Sequence, residues 1–325
     1  MDDDLYKNLR AEGLLSDESF EKIKSADIPL FSIHWEIKTL LYLGVALLTT
    51  GLGLLIYENI DSIGHTFVLL LIALISLGCF GYCFKNKMPF SSEKINSPST
   101  AFDYILLLAC TSFLIFVGYL QYQYNVFGSH YGMATFIPML VLFFIAYYFD
   151  HLGILNMAIA NLAVWMGVSV TPKQLLLNYD FDSEKIIYAF LLLGILLIVA
   201  AWLTQRINFK KHFKFSYQHY GVHAAYISLL AGYFHYYQFP AAVIWILGVA
   251  LLSFIIYRDA FKNKSFYFLL LVVLYSYIAV SSLVVRAFIS INDIAAVYLL
   301  FIYFIASGIS LIFLLINLNK KLKGA

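Results

Sequence analysis

The stretch FFIAYYFDHLGILNMAIANLAVWMG, Phe143 to Gly167, decides how this chain is laid out. It is apolar almost throughout, yet Asp150 and His151 interrupt it. If it were one helix, the pair would sit inside a membrane. If it were two, the pair would mark a turn. The apolar run around it, Gly132 to Val170, is 39 residues long. At the standard helical rise that is about 58 Å, roughly twice the hydrocarbon thickness of a bilayer. Length therefore predicts a tight hairpin, with Gly153 relaxing the backbone just beyond the turn. An aspartate at mid-bilayer costs roughly 2.5 to 3.5 kcal/mol on insertion scales, so a turn at the membrane surface is also the cheaper placement.

The rest of the chain is built of the same material. Of 325 residues, 62% are hydrophobic, 18% aromatic and only 12% charged, a balance outside that of soluble globular domains. Continuous apolar runs exclude a transmembrane barrel, whose strands alternate apolar and polar residues. The expected class is an all-α, polytopic membrane protein. Ten spans are predicted: Thr39 to Tyr57, Gly64 to Phe84, Tyr104 to Tyr122, Gly132 to Phe149, Leu152 to Val170, Ile186 to Thr204, Gly221 to Tyr237, Ala241 to Tyr257, Phe266 to Val285, and Ile294 to Asn317.

Charge checks that count independently, because Lys and Arg accumulate in short cytoplasmic loops. With ten spans and both termini cytoplasmic, all but three of the 21 basic residues fall inside; Lys173, Lys185 and Arg286 are outside. Fusing the fourth and fifth spans would divide the basic residues almost evenly. The first 38 residues carry Asp2, Asp3 and Asp4 and no pattern of a cleaved signal peptide, so the amino terminus is expected to stay in the cytoplasm. Cys79, Cys83 and Cys110 lie in apolar sequence and are expected to pack as reduced thiols.

Ahead of the first span, LYKNLRAEGLLSDESFEKIKS predicts a cytosolic helical hairpin within residues 1–34, followed by a membrane domain over 35–325. Gly13 suits the end of the first helix and Ser16 the N-cap of the second, with Asp17 and Glu18 complementing the helix dipole. A pair this small must dock to be stable, on the membrane domain or on a protein partner. EGLLSDESFEKI followed by LGVALLTTGLGLLIYENIDSIG resembles the opening of a bacterial membrane family, domain of unknown function 2157. Glu12, Gly13, Leu15 and Ser16 carry the likeness in the hairpin, and Gly44, Gly51, Gly53, Asn59 and Asp61 in the first span and its outer end. Ile60 stands where the family pattern has an aromatic residue. The resemblance covers about 65 residues and implies a membrane protein, with no catalytic residues to transfer.

No Asp, Glu, Lys or Arg lies in the middle of any predicted span, which disfavours ion-coupled pumping through a buried carboxylate. Asn161 is the deepest polar residue, with Asn156 nearer the cytoplasm; hydrogen bonding to a neighbouring helix is the expected role of each. Ala224, Ser228 and Gly232 form a strip of small residues where helices can approach closely. His219 and His223 share a helix face, but zinc needs a third ligand, and only His212 or His151 can be nominated. Outside, Glu58, Asn59, Asp61 and His65 cluster in the first loop and are the candidate polar site, together with Asn161. Gln121, Gln123, Asn125 and His130, and then His235 and Gln238, stand among tyrosines; they read as an interfacial belt or as the lining of a shallow outward pocket.

No phosphate loop, nucleophile elbow, H-E-x-x-H or Cys-x-x-Cys motif occurs, so no cofactor is expected and an enzyme has little support. The basic loops suit topology and anionic lipid headgroups, not nucleic acid. The expected function is a non-enzymatic envelope or partner-binding protein. A transporter or channel for an uncharged or amphipathic solute is the alternative, and a membrane-embedded transferase the third.

Overall fold

The computed structural model describes residues 9–20, 64–128, 130–170, 184–291 and 293–324, with isolated helical positions between 40 and 58. The chain divides into two compact units, Met1–Phe67 and Val68–Ala325.

In the first unit, Gly13 has a left-handed φ of +74°, and Gly13 N–H and Leu14 N–H bond back to the carbonyls of Arg10 and Leu9. Glycine adopts this conformation without the Cβ penalty, which is why it ends the helix here. Ser16 Oγ accepts from Ser19 N–H at 3.3 Å as an N-cap, and Arg10 Nε lies 2.7 Å from Asp17 Oδ1. The predicted span Thr39 to Tyr57 falls mostly outside the described residues.

From there the described chain is helical: α1 (His65–Lys85), α2 (Thr100–Tyr124), α3 (Tyr131–Phe149), α4 (Leu152–Val170), α5 (Glu184–Ile207), α6 (Lys214–His235), α7 (Ala242–Lys262), α8 (Phe266–Ile289) and α9 (Ile294–Gly324). Eight of these nine are long and apolar enough to cross a membrane. The remaining one is α6, the seventh span of the sequence reading. It starts seven residues earlier than expected and is too polar to meet that criterion. The physical reason is its surroundings. Twelve of its 22 residues are buried, among them Ser216, Gln218 and Ser228, so packing against protein replaces the apolarity that lipid contact would demand. At 22 residues it is about 33 Å long, enough to traverse the hydrocarbon layer.

Small residues set the register around α6. A Cβ on Gly194 would lie 2.5 Å from Ala225 N, and one on Gly221 would lie 2.9 Å from Ile198 N. Towards the two ends, Lys214 Nζ donates to Gln205 Oε1 at 2.8 Å and His235 Nε2 lies 3.5 Å from Glu184 Oε1. All four pairs have the same sum of residue numbers, so α5 and α6 are antiparallel in unbroken register along their length. On the next side, Gly232 lies under the Trp245 ring of α7, and a Cβ there would stand 2.3 Å from it; Gly248 faces Leu229. α8 and α9 are joined by hydroxyl pairs, Tyr277 with Ser307 and Ser281 with Tyr303, each at 3.0 Å.

Two buried clusters result. One gathers residues of α1 to α6, including Cys83 and Cys110, and the other residues of α5 to α9. Cys79, Cys83 and Cys110 are free thiols, the last two fully buried.

Candidate functional sites

The predicted turn at Asp150 and His151 is present, and neighbouring loops cover its carboxylate. Asp150 caps α3 in the left-handed region (φ 59°, ψ 40°), which aspartate tolerates better than most residues. Its side chain is 0% exposed, and so is that of Lys210, whose Nζ lies 3.0 Å from Asp150 Oδ1. His212 Nε2 lies 2.7 Å from the same oxygen, and Oδ2 accepts from Ile95 N–H at 2.6 Å. Lys210 in turn gives its backbone N–H to Ser92 O at 2.8 Å and its ammonium to Glu93 O at 3.4 Å. The loops that follow α1 and α5 thus close over the α3–α4 turn. Burying a lone carboxylate would cost several kcal/mol; three partners, one of them an ammonium, offset that cost.

Gly153 plays a different part from the one expected. The positive φ belongs to Asp150, and Gly153 is helical; a Cβ there would lie 2.9 Å from His151 Cε1. The glycine makes room for the His151 ring, whose Nδ1 accepts from Ile154 N–H at 3.2 Å and caps α4. His151 Nε2 faces Asp103 Oδ1 at 3.7 Å. Burial pushes the His151 pKa down, against a smaller upward pull from Asp103.

The same end of the bundle carries Lys214, which reaches Asp259 at 3.5 Å, while Gln218 donates to Asp259 Oδ2 at 2.8 Å. The α1–α2, α3–α4, α5–α6 and α7–α8 connections therefore share one face with Lys85, Lys210, Lys214 and Lys262. It is called the basic face below.

His219 and His223 do share a side of α6, and they meet α8. Tyr267 Oη lies 2.6 Å from His219 Nδ1 and 3.1 Å from His223 Nε2, and His223 Nδ1 lies 2.7 Å from Tyr275 Oη. Tyr275 stacks on Tyr226, whose hydroxyl continues to Ser253 and Ser276 at 2.9 and 3.0 Å. The two other nominated ligands are engaged elsewhere, His212 with Asp150 and His151 with Asp103. Among the described residues no group of three His, Cys, Asp or Glu gathers to hold a metal. Tyr267 and Tyr275 were not legible as partners, since tyrosines fill both ends of the spans.

At the opposite face a pocket of about 860 Å³ opens between α6, α8 and α9. Phe234, Phe239, Ile278, Val285 and Phe304 give it apolar walls; His235, Gln238, Ser281 and Ser282 are its polar groups. Tyr237 also lines it and carries the Arg286 guanidinium 4.6 Å above its ring. His235 and Gln238 thus meet in a pocket, as one of the two sequence readings had it. Gln121 does not. Its amide bonds Asn125, Gly128 and Phe127 and organises the α2–α3 loop from a buried position.

Of the candidate polar cluster, Glu58 is an exposed helical residue and His65 opens α1, whereas Asn59 and Asp61 lie outside the described residues. Asn161 Nδ2 donates to Thr135 O of α3 at 2.6 Å. That carbonyl neighbours the one of Ala134, which Pro138 deprives of its intrahelical N–H. Asn161 is therefore an interhelical tie beside a proline irregularity.

Fold and sites together define a polytopic, all-helical membrane protein. Residues 7–155 match the family of predicted membrane proteins DUF2157, so the similarity extends well past the first 65 residues, through the Asp150 turn. Neither a curated protein nor a solved structure matches the chain.

Proposed function

We propose that this is a non-enzymatic envelope protein of the bacterial cytoplasmic membrane, with both termini cytoplasmic, that holds an amphipathic molecule in the pocket between α6, α8 and α9. The observation that carries the reading is the lining. A volume of about 860 Å³ lies within the roughly 300 to 1,000 Å³ usual for small-molecule sites, and its apolar walls end in a few amide, hydroxyl and imidazole groups. Arg286, held over Tyr237 beside that pocket, suits a headgroup that is anionic or rich in acceptors. The basic residues of the opposite face support that orientation, since basic loops favour the cytoplasm.

A second reading, transport of such a molecule, is favoured by the pocket's outer wall, since α9 supplies Phe304 to the lining and has none of its membrane-spanning window buried against protein.

The test uses the full-length protein in nanodiscs with a fluorescent short-chain phosphatidylglycerol. Saturable binding that is lost on Ser282→Trp, which fills the pocket, supports the reading. Unsaturable partitioning that is equal in both proteins contradicts it.

A further inference from the structure

At the basic face a second pocket, of about 510 Å³, opens between the ends of α5 and α7. Trp202, Gln205 and Arg206 of α5 line it on one side, and Arg258, Asp259 and Lys262 of α7 on the other. Two residues of α6 tie these sides together. Lys214 Nζ donates to Gln205 Oε1 at 2.8 Å and reaches Asp259 at 3.5 Å, and Gln218 Nε2 donates to Asp259 Oδ2 at 2.8 Å.

The lining holds three cations and one carboxylate, and that carboxylate is already engaged by Lys214, Gln218 and Asn263 Nδ2, the last at 2.9 Å. Among the described residues, no carboxylate lies within ion-pair distance of Arg206, Arg258 or Lys262. Aromatic rings hold the two guanidinium groups instead. Arg206 Cζ stands 4.9 Å from the Trp202 ring centroid, and Arg258 Cζ 5.7 Å from that of Phe254. In each pair the ring lies four residues earlier on the same helix, and contact with a ring face leaves the in-plane N–H donors for an oxygen ligand. Arg206 and Lys262 also complement the carboxyl-terminal dipoles of their helices. Arg258, before the last turn of α7, falls outside that explanation.

The depth of the pocket says what the ligand is. At the other end of α5, Tyr188 packs on Trp245 of α7 with ring centroids 5.5 Å apart. Arg206 lies five helical turns further along the same side of α5, about 27 Å away, close to the thickness of the hydrocarbon layer. Its guanidinium therefore stands where acyl chains give way to phosphates. Leu192, Ile195, Val199 and Trp202 occupy the side of α5 between them, and all four are exposed. They form an apolar track that ends at the cations, with an indole at the headgroup level that such rings prefer. A free anion would need the cations alone; a lipid uses the track as well.

We propose that this pocket binds the phosphate of an anionic phospholipid from the leaflet at the basic face. The guanidinium groups of Arg206 and Arg258 donate to the phosphate oxygens, Lys262 supplies a third positive charge, and an acyl chain lies along the α5 track. Bound there, the lipid joins α5 to α7 at the end where α6 alone links them through Lys214 and Gln218. The site is at the face opposite the pocket proposed above and uses none of its residues.

The test is native mass spectrometry of the full-length protein in detergent, offered phosphatidylglycerol and phosphatidylcholine at equal concentration. The expected result is retention of phosphatidylglycerol at least fivefold over phosphatidylcholine, in wild type and in Ser282→Trp alike. The combined substitution Arg206→Gln, Arg258→Gln and Lys262→Gln abolishes that preference, and Arg258→Gln alone halves it or more, which serves if the triple variant does not fold. Lys85→Gln, Lys320→Gln and Lys321→Gln together remove the same charge from the same face and leave the preference intact. Absence of the preference in wild type, or equal loss in both triple variants, overturns the proposal. Binding of inorganic phosphate that requires Arg206 and Arg258, with no preference between the lipids, assigns the pocket to a soluble anion and overturns it too. Ser282→Trp fills only the pocket of the opposite face, so either site can fail without the other.

Discussion

The Lys210 ammonium lies 3.0 Å from Asp150 Oδ1 with neither side chain exposed, and this pair joins the loop after α5 to the turn between α3 and α4. A buried pair need not add net stability, but removing one partner leaves the other charge uncompensated. Asp150→Ala and Lys210→Met are each expected to cost about 3 to 5 kcal/mol, and the double variant clearly less than their sum. Unfolding in mild detergent, followed by tryptophan fluorescence, measures the cycle. Additive losses would mean that the two residues act independently.

His151 sets a pH dependence. Its pKa is lowered in the folded protein because burial penalises the imidazolium. Between that lowered value and the ordinary value near 6.5, the unfolded chain binds a proton that the folded one does not. Stability is therefore complete above about pH 6.5 and declines as the pH falls below it. The geometry points the same way, since a proton on Nδ1 would remove the acceptor that caps Ile154 N–H. Melting temperatures between pH 5 and 8 should show the decline in wild type and a flatter profile in His151→Gln. Identical profiles would remove His151 from the account.

The α5–α6 register makes a steric prediction. Gly194→Ala would set a methyl group 2.5 Å from Ala225 N, and backbone cannot swing aside as a flexible side chain can. The helices must separate, which is expected to cost about 1 to 3 kcal/mol. Gly78→Ala, which meets open space, should be neutral or slightly stabilising. Equal melting temperatures for the two variants would contradict the close approach.

How far the sequence could be read follows from which forces act along the chain and which across it. Helix length and apolar runs are local, so α4 is found at its predicted bounds and α3 within one residue of them. The α6 boundary was missed because its polar first turns, KFSYQHY, are covered by neighbouring helices, a property no window of sequence contains. Gly13 and Ser16 were legible because caps depend on neighbours a few residues away. Asp150 was placed at a turn by length and charge, yet its burial depends on Lys210, His212 and Ile95, contributed by loops distant in the chain. The same holds for Tyr267 and Tyr275, which differ from other interfacial tyrosines only in facing His219 and His223.

The central claim is that the quoted stretch is a hairpin whose turn, at Asp150, lies on the basic face with the other lysine-bearing loops. Single cysteines at Lys94 and Asn263, and at Asn125 and Ser290, in a background lacking Cys79, Cys83 and Cys110, test it in intact cells with a membrane-impermeant maleimide. The account predicts that Asn125→Cys and Ser290→Cys are labelled from outside, and that Lys94→Cys and Asn263→Cys are labelled only after the membrane is opened. Labelling of Lys94→Cys and Asn263→Cys from opposite sides would contradict it.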